Sequence, residues 1–212
     1  ARLNGLLVDK GVPVVAYDEA RTMIGAGVKA LIKRALIAQH VQASAEDIDA
    51  LFETYVERYA ARIADLSRPF PGLDEALDRL AAEGYRFAVC TNKLEWLSTR
   101  LLDALSLTSR FEAICGQGTF DMMKPHPDMF RRTILQAGGD PAHAIMVGDS
   151  GTDINTARAA SVPVIAVDFG YTDVPVDQLG PDRIISHFSD LPSAVRELLP
   201  VGATALPREA AS

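Results

Sequence analysis

The chain has 212 residues, a formal net charge of −7 and a hydrophobic content of 48%. This length suits one compact domain, or a core with a small accessory domain. The acidic excess argues against a protein that binds nucleic acids or membrane surfaces, because it offers no net positive charge to phosphate groups. We therefore expect neither a nucleic acid nor a membrane as partner, while the oligomeric state stays open.

The two cysteines, Cys90 and Cys115, lie in apolar segments without the spacing of metal ligands. This pattern predicts buried free thiols, which fit a reducing compartment such as the cytoplasm. A cytoplasmic location is therefore expected.

Residues 1–68 show apolar residues at helical spacing and no convincing strand. An apolar stripe ends at Gly11, and Ser44 followed by Asp47 is typical of a helix N-terminus. The pattern predicts a small, entirely helical domain over residues 1–68.

Residues 69–72 break this pattern with two prolines and a glycine, and helices and short apolar strands alternate after them. The predicted strands are Tyr85–Cys90, Ala113–Gly116, Ala144–Val147, Val162–Val167 and Arg183–Ile185. Helices of about ten residues between such strands indicate an α/β fold, a Rossmann-like parallel sheet covered on both faces. We predict this core over residues 69–200 and a flexible tail over 201–212. Ligands of such sheets bind beyond the carboxyl ends of the strands.

Polar residues follow the first two predicted strands. Thr91 and Asn92 are suitable donors to a phosphate oxygen, although Thr91 by itself is more typical of a cap on the next helix. Further on, Lys124 precedes a helix that begins at Pro127, where its ammonium suits a phosphate or an aspartyl-phosphate. A solvated surface lysine is the alternative. His126 is expected to have a structural role and no catalytic one.

The segment from Met146 to Asp153 places Asp149 and Asp153 where an apolar strand ends and a helix begins. Magnesium prefers oxygen ligands and is commonly held by one or two carboxylates together with substrate phosphate and water. Asp149 is the candidate for a direct ligand, and Asp153 for a residue that holds a metal-bound water. The alternative is that both carboxylates only cap the helix.

These elements, in this order, resemble the second, third and fourth motifs of the haloacid dehalogenase-like (HAD) superfamily of phosphohydrolases. The tripeptide 91–93 and the segment 167–171 are similar to the phosphoglycolate phosphatase branch in particular. Residues 1–68 resemble the inserted helical cap domain of that branch, with Gly25 at its substrate-facing turn.

The resemblance implies a magnesium-dependent phosphatase of a small phosphorylated metabolite, with phosphoglycolate as the leading substrate and an aspartyl-phosphate intermediate. Thr91 and Asn92 would orient the phosphoryl group, and Lys124 would stabilise the transition-state charge. Asp149 and Asp153 would hold Mg2+, and Gly25 would contact the substrate. The implied catalytic residues are therefore Thr91, Lys124 and Asp149.

The superfamily's nucleophile, the first aspartate of an Asp-x-Asp motif, has only one early candidate here. Asp9 follows an apolar lead, but Gly11 stands where the second aspartate belongs. The spacing from Asp9 to Gly25 is also too short for the first cap helix. We therefore expect that the polypeptide begins inside the cap, lacks the strand with the nucleophile, and has negligible turnover. Rearrangement of the sheet or a second copy of the chain are alternative ways to complete it.

Two alternatives to the phosphoglycolate hypothesis stay open. One is a phosphosugar phosphatase or mutase of the same superfamily, since cap residues such as Gly25 and Lys29 would select the substrate. The other is a non-catalytic phosphate-binding or interaction protein that keeps the fold without the nucleophile.

Overall fold

A computed structural model of the chain describes residues 28–65, 67–172 and 174–200. The predictions for Asp9, Gly11 and Gly25, and for the tail 201–212, lie outside these residues. The bounds of the helices are α1 Val28–Ala38, α2 Ala45–Ala61, α3 Leu73–Ala82, α4 Glu95–Ala104, α5 Pro127–Gln136, α6 Gly151–Ala160 and α7 Leu191–Leu198. The strands are β1 Ala88–Leu94, β2 Ala113–Gln117, β3 Met146–Gly148, β4 Val164–Val167 and β5 Arg183–Ile185.

Helices α1 and α2 form the described part of the predicted cap. Ser44 caps α2 as the sequence predicted: the Asp47 N–H donates to Ser44 Oγ at 3.1 Å, and the Ser44 N–H donates to Asp47 Oδ2 at 3.0 Å. This reciprocal capping satisfies two backbone donors at the helix start. The two helices pack through buried residues at helical spacing, which are Ile32, Ala35, Leu36 and Leu51.

The strands of the second part are parallel, as predicted, and within the described ranges they form two hydrogen-bonded sets. Strand β1 pairs with β2, and β3 pairs with β4, which pairs with β5. The two sets share a core, because Cys90 of β1 packs against the buried cluster that includes Met146 of β3.

Strand β4 lies at the centre of the three-stranded set and is buried on both faces. Val164 and Ala166 contact the cluster beneath α5 and α6, whereas Ile165 and Val167 contact the cluster beneath α3 and α7. Side chains alternate across a strand, so a strand with helices on both sides is apolar throughout. This explains why β4 was recognisable as a continuous apolar run.

Two predicted boundaries differ from the structure in ways that affect the site. Strand β1 was predicted to end at Cys90, but it continues to Leu94, which pairs with Gln117 of β2. Gly116 permits this extension, because a Cβ there would lie 2.4 Å from the Lys93 carbonyl oxygen. Helix α6 was predicted from Asp153, but it begins at Gly151.

The cap helices and the core meet through apolar side chains. Val56, Ala60 and Ile63 pack with Leu97 of α4 in one buried cluster. The division at residue 68 stays a prediction. Within the described residues, no helix is both long enough and apolar enough to cross a bilayer.

Candidate active site

The carboxyl end of β1 is tied to the loop that carries Lys124. The Asn92 amide Nδ2 donates to the Lys124 carbonyl oxygen at 2.9 Å, and the Lys124 N–H donates to Asn92 Oδ1 at 2.8 Å. Asn92 is buried, so both hydrogen bonds are shielded from water. The side chain of Asn92 therefore fixes the backbone from which Lys124 extends.

The Lys124 side chain reaches across to the β3 end. Its Nζ lies 2.6 Å from Asp153 Oδ1, and both side chains are nearly buried. The other oxygen, Asp153 Oδ2, accepts from Ser150 Oγ at 2.7 Å and from the N–H groups of Asp149 and Ser150 at 3.2 Å. Asp153 thus joins the lysine to the turn that contains Asp149.

These contacts set the charge state of Asp153. Burial by itself raises the pKa of a carboxyl group, because it removes water from the charged form. Here the Lys124 ammonium, through its charge and its hydrogen bond, and the Ser150 hydroxyl outweigh burial and hold the pKa of Asp153 below its ordinary value. Asp153 is therefore an anion in this arrangement.

Asp149 lies directly after β3 and beneath the loop that follows β4. Its Oδ2 accepts from the Tyr171 N–H at 2.8 Å. Gly170 makes this approach possible, since a Cβ at that position would lie 2.2 Å from the Asp149 Cβ. Burial, and then the charge of Asp153, raise the pKa of Asp149, although the Tyr171 N–H and Lys124 oppose them.

Thr91 occupies the end of β1 beside Asn92. Its Oγ1 accepts from the Lys93 N–H at 3.1 Å, which leaves the hydroxyl proton available to an acceptor. Thr91 does not cap helix α4, whose N-cap is Leu94 without a side-chain hydrogen bond. The alternative reading of Thr91 as a helix cap is therefore wrong.

The capping alternative for the two aspartates is correct in part. Ser150 is the N-cap of α6, and Asp153 is its partner in a capping box. Asp149 takes no part in this box, because its carboxylate turns towards Tyr171 instead. A Cβ at Gly148 would lie 2.4 Å from Asp153 Cγ, so this glycine allows the carboxylate to fold back on the turn.

The donor set fits a magnesium ion if other ligands complete it. Asp149 Oδ1 accepts no hydrogen bond from another described residue, whereas both oxygens of Asp153 are occupied. Within the described ranges, no group of three or more His, Cys, Asp or Glu side chains is arranged to hold a metal ion. Magnesium often has only one or two protein carboxylates and takes phosphate and water as further ligands.

The structure thus brings five predicted residues to the carboxyl ends of β1 and β3. Asn92, Lys124, Asp153 and Asp149 form one continuous chain of hydrogen bonds, and Thr91 is adjacent to Asn92. Gly25 lies outside the described residues.

Two other residues named from the sequence have local partners. Lys29 pairs with Asp49 at 2.6 Å. The structural role expected for His126 is confirmed: its Nδ1 accepts from the Asp128 N–H at 3.2 Å at the start of α5. Cys90 and Cys115 are free thiols, as predicted, but only Cys115 is fully buried, and Cys90 is partly exposed.

The sequence-based interpretation missed three residues that shape the site. Gly170 and Tyr171 hold Asp149, and Ser150 holds Asp153. The signal for Ser150 was present, because Ser150 and Asp153 stand at capping-box spacing. Tyr171 contributes a backbone N–H, which no residue type reveals.

Parallel strands with helices on both faces form an α/β core, and the lysine–carboxylate network lies at the strand ends, where such cores bind ligands. A sequence model described as haloacid dehalogenase-like hydrolase matches residues 2–167. The chain belongs to this family.

Relatives refine the comparison. The chain is 46% identical over 188 residues to a phosphoglycolate phosphatase of Mesorhizobium japonicum, covering 88% of this chain and 83% of the relative. It is 43% identical over 204 residues to a phosphoglycolate phosphatase of Agrobacterium fabrum, with coverages of 96% and 88%. A crystal structure described as a predicted phosphoglycolate phosphatase from Haemophilus somnus superposes with a TM-score of 0.85 at 28% identity, covering 92% of this chain and 88% of that one.

These similarities confirm the predicted superfamily, the likeness to the phosphoglycolate phosphatase branch, and the α/β core with a helical cap. They also confirm the predicted class of enzyme, a phosphoric monoester hydrolase.

Proposed function

We propose that this protein is a magnesium-dependent phosphatase of small phosphate monoesters, with phosphoglycolate as its substrate and the cytoplasm as its location. The observation that carries the proposal is the network from Asn92 through Lys124 and Asp153 to Asp149. In this network a buried cation and a carboxylate, one of whose oxygens accepts no hydrogen bond from another described residue, lie at one edge of parallel strands, where such sheets bind ligands. The relatives named phosphoglycolate phosphatase support the choice of substrate.

In this proposal each residue at the strand ends has a separate task. The Thr91 hydroxyl donates to a phosphoryl oxygen, and the Lys124 ammonium balances the charge that develops there. The Asn92 side chain positions Lys124 through its two hydrogen bonds to the Lys124 backbone.

Asp149 would hold the magnesium ion directly, and Asp153 would contact it only through water, because four donors occupy the oxygens of Asp153. A bound magnesium ion would supply positive charge against the phosphoryl oxygens. Gly25 stays a proposed substrate contact of the cap.

The attacking carboxylate of the aspartyl-phosphate mechanism is neither Asp149 nor Asp153 in this proposal, since both already have other roles. Asp9 is the early candidate, and its weak match to the motif leads us to expect that a carboxylate outside residues 1–212 performs the attack. These cases are distinguished by comparing the activity of the 212-residue polypeptide with that of any longer product of its reading frame.

The test is phosphate release from phosphoglycolate, a hexose phosphate and p-nitrophenyl phosphate, with magnesium and with EDTA. For the form that contains the attacking carboxylate, we expect magnesium-dependent release that is fastest with phosphoglycolate and that Asp149→Asn lowers about a hundredfold or more. Asp140→Asn is the matched control, because Asp140 pairs with His143 at the start of a separate short helix. It should leave the rate unchanged.

The other outcomes separate the alternatives. Faster release from the hexose phosphate would indicate that the substrate is a phosphosugar and not phosphoglycolate. Phosphate binding without release in either form would favour the non-catalytic protein. Hydrolysis by the 212-residue polypeptide that Asp9→Asn abolishes would make Asp9 the nucleophile.

A further inference from the structure

Besides Lys124, Lys93 is a second lysine near Thr91 of the proposed phosphate site, and the proposed mechanism does not use its side chain. It lies two residues after Thr91 near the end of β1 and is half-buried. The Lys93 N–H donates to Thr91 Oγ1 at 3.1 Å, within the stretch between Cys90 and Leu94 where the pairing of β1 with β2 is irregular. This backbone is held from both sides by the Thr91 hydroxyl and by the close approach of Gly116.

The Lys93 side chain extends to the cap. Its Nζ hydrogen-bonds the Tyr59 hydroxyl and lies 4.2 Å from the centroid of the Tyr59 ring. Tyr59 belongs to α2 and stacks on Tyr55, with 6.1 Å between the ring centroids. The aromatic contacts therefore hold the ammonium at the junction of cap and core, where a cation–π interaction compensates part of its lost hydration.

The partners of Lys93 distinguish it from the other two lysines discussed so far. Lys124 pairs with Asp153 and Lys29 pairs with Asp49, each at 2.6 Å. In the described part of the chain, no carboxylate forms an ion pair with Lys93. An ammonium has three donors, and the hydroxyl of Tyr59 occupies one. Lys93 is half-buried near the proposed phosphate site, and two of its donors have no hydrogen-bond acceptor among the described residues. Such a cation is suited to a second anionic group of a ligand.

We propose that Lys93 binds the carboxylate of a substrate whose phosphate lies at Thr91 and Lys124, and that it selects for phosphorylated small carboxylic acids. This inference rests on the proposed phosphatase function and adds the group that recognises the rest of the substrate. Tyr59 acts as a positioning residue for Lys93.

Two non-hydrolysable ligands test this proposal without turnover. 3-Phosphonopropionate carries a phosphonate and a carboxylate, whereas propylphosphonate has the same phosphonate and chain length without the carboxylate. Isothermal titration calorimetry should give wild-type protein a dissociation constant about tenfold or more lower for 3-phosphonopropionate, because a charge-assisted hydrogen bond contributes about 1.5–3 kcal/mol.

Lys93→Met should reduce this ratio of affinities to about one and leave the affinity for propylphosphonate unchanged. Lys33→Met is the matched control, since it makes the same substitution at an exposed lysine of α1, and it should leave the ratio at the wild-type value. If Lys93→Met fails to bind propylphosphonate, Lys93→Gln is measured by the same criterion.

If Lys93 has only a structural role, Lys93→Met should lower the affinity for both ligands by the same factor, and this result would overturn the inference. An unchanged ratio in Lys93→Met would also overturn it, while leaving the phosphatase proposal intact. Wild-type protein that binds neither phosphonate would instead contradict the proposed function on which the inference rests.

Discussion

Two lysine–aspartate pairs of equal length occur in different regions of the molecule. Lys29 and Asp49 join the two cap helices at 2.6 Å, and their side chains are 47% and 59% exposed. Lys124 and Asp153 join the loop before α5 to the β3 end at 2.6 Å, with exposures of only 11% and 7%. The first pair remains hydrated, whereas the second has lost its water and depends on its partners. Equal distance therefore does not mean equal energy, and the buried pair is the one that shapes the site.

The largest expected effect is the loss of the buried lysine. Lys124→Met removes the cation and leaves Asp153 charged and nearly buried, so we expect the free energy of unfolding to fall by about 3–5 kcal/mol. Urea unfolding followed by circular dichroism measures this change. A loss below about 1 kcal/mol would show that the buried pair behaves like the exposed one, and the comparison would fail.

A smaller effect is expected when the geometry of the buried pair changes and its charges stay. In Gly148→Ala the new Cβ would lie 2.4 Å from Asp153 Cγ, so the carboxylate must move away from Lys124. Crowding of this kind costs about 1–3 kcal/mol in unfolding free energy, again measured in urea.

Gly151→Ala is the control for this variant in the same turn. A Cβ at Gly151 would meet only Leu179, at an ordinary contact distance of 3.7 Å. We expect no destabilisation there. Equal losses at both glycines would indicate a general sensitivity of the turn rather than displacement of Asp153.

The smallest effect is expected for the exposed pair. Lys29→Met should change the unfolding free energy by about 0–1 kcal/mol, because water screens the charges and the methionine can keep the contact with the Phe52 ring. The same urea experiment at low salt and at about 1 M salt should show that the difference in unfolding free energy between wild type and Lys29→Met shrinks as salt rises. A salt-independent loss clearly above about 1 kcal/mol, the top of the range for exposed pairs, would contradict this view.

Much of the fold was predictable because each local pattern has one physical meaning. The apolar run of β4 indicated a strand buried on two faces, and Ser44 with Asp47 indicated the start of α2. The end of β1 was not predictable in the same way. Its extension to Leu94 depends on the close approach of Gly116, which lies more than twenty residues further along the chain.

In the candidate site, too, some features were predictable from local sequence and others depend on contacts between distant segments. Residue type and order were sufficient to select Thr91, Lys124 and Asp149 as chemical groups at strand ends. They could not show that the Asn92 side chain hydrogen-bonds the Lys124 backbone, since this requires two distant segments to meet. Nor could they show that Lys93 extends to a tyrosine of the cap.

The sequence by itself therefore determined the family, the alternation of helices and strands, and which side chains can carry charge at the strand ends. Those properties follow from local periodicity and from the chemistry of individual residues. The tertiary structure decided which charges are buried, which oxygens are already occupied and which lysine has no carboxylate partner in the described part of the chain. Such properties depend on burial and on partners far away in the chain, and these are decided only when the segments pack together.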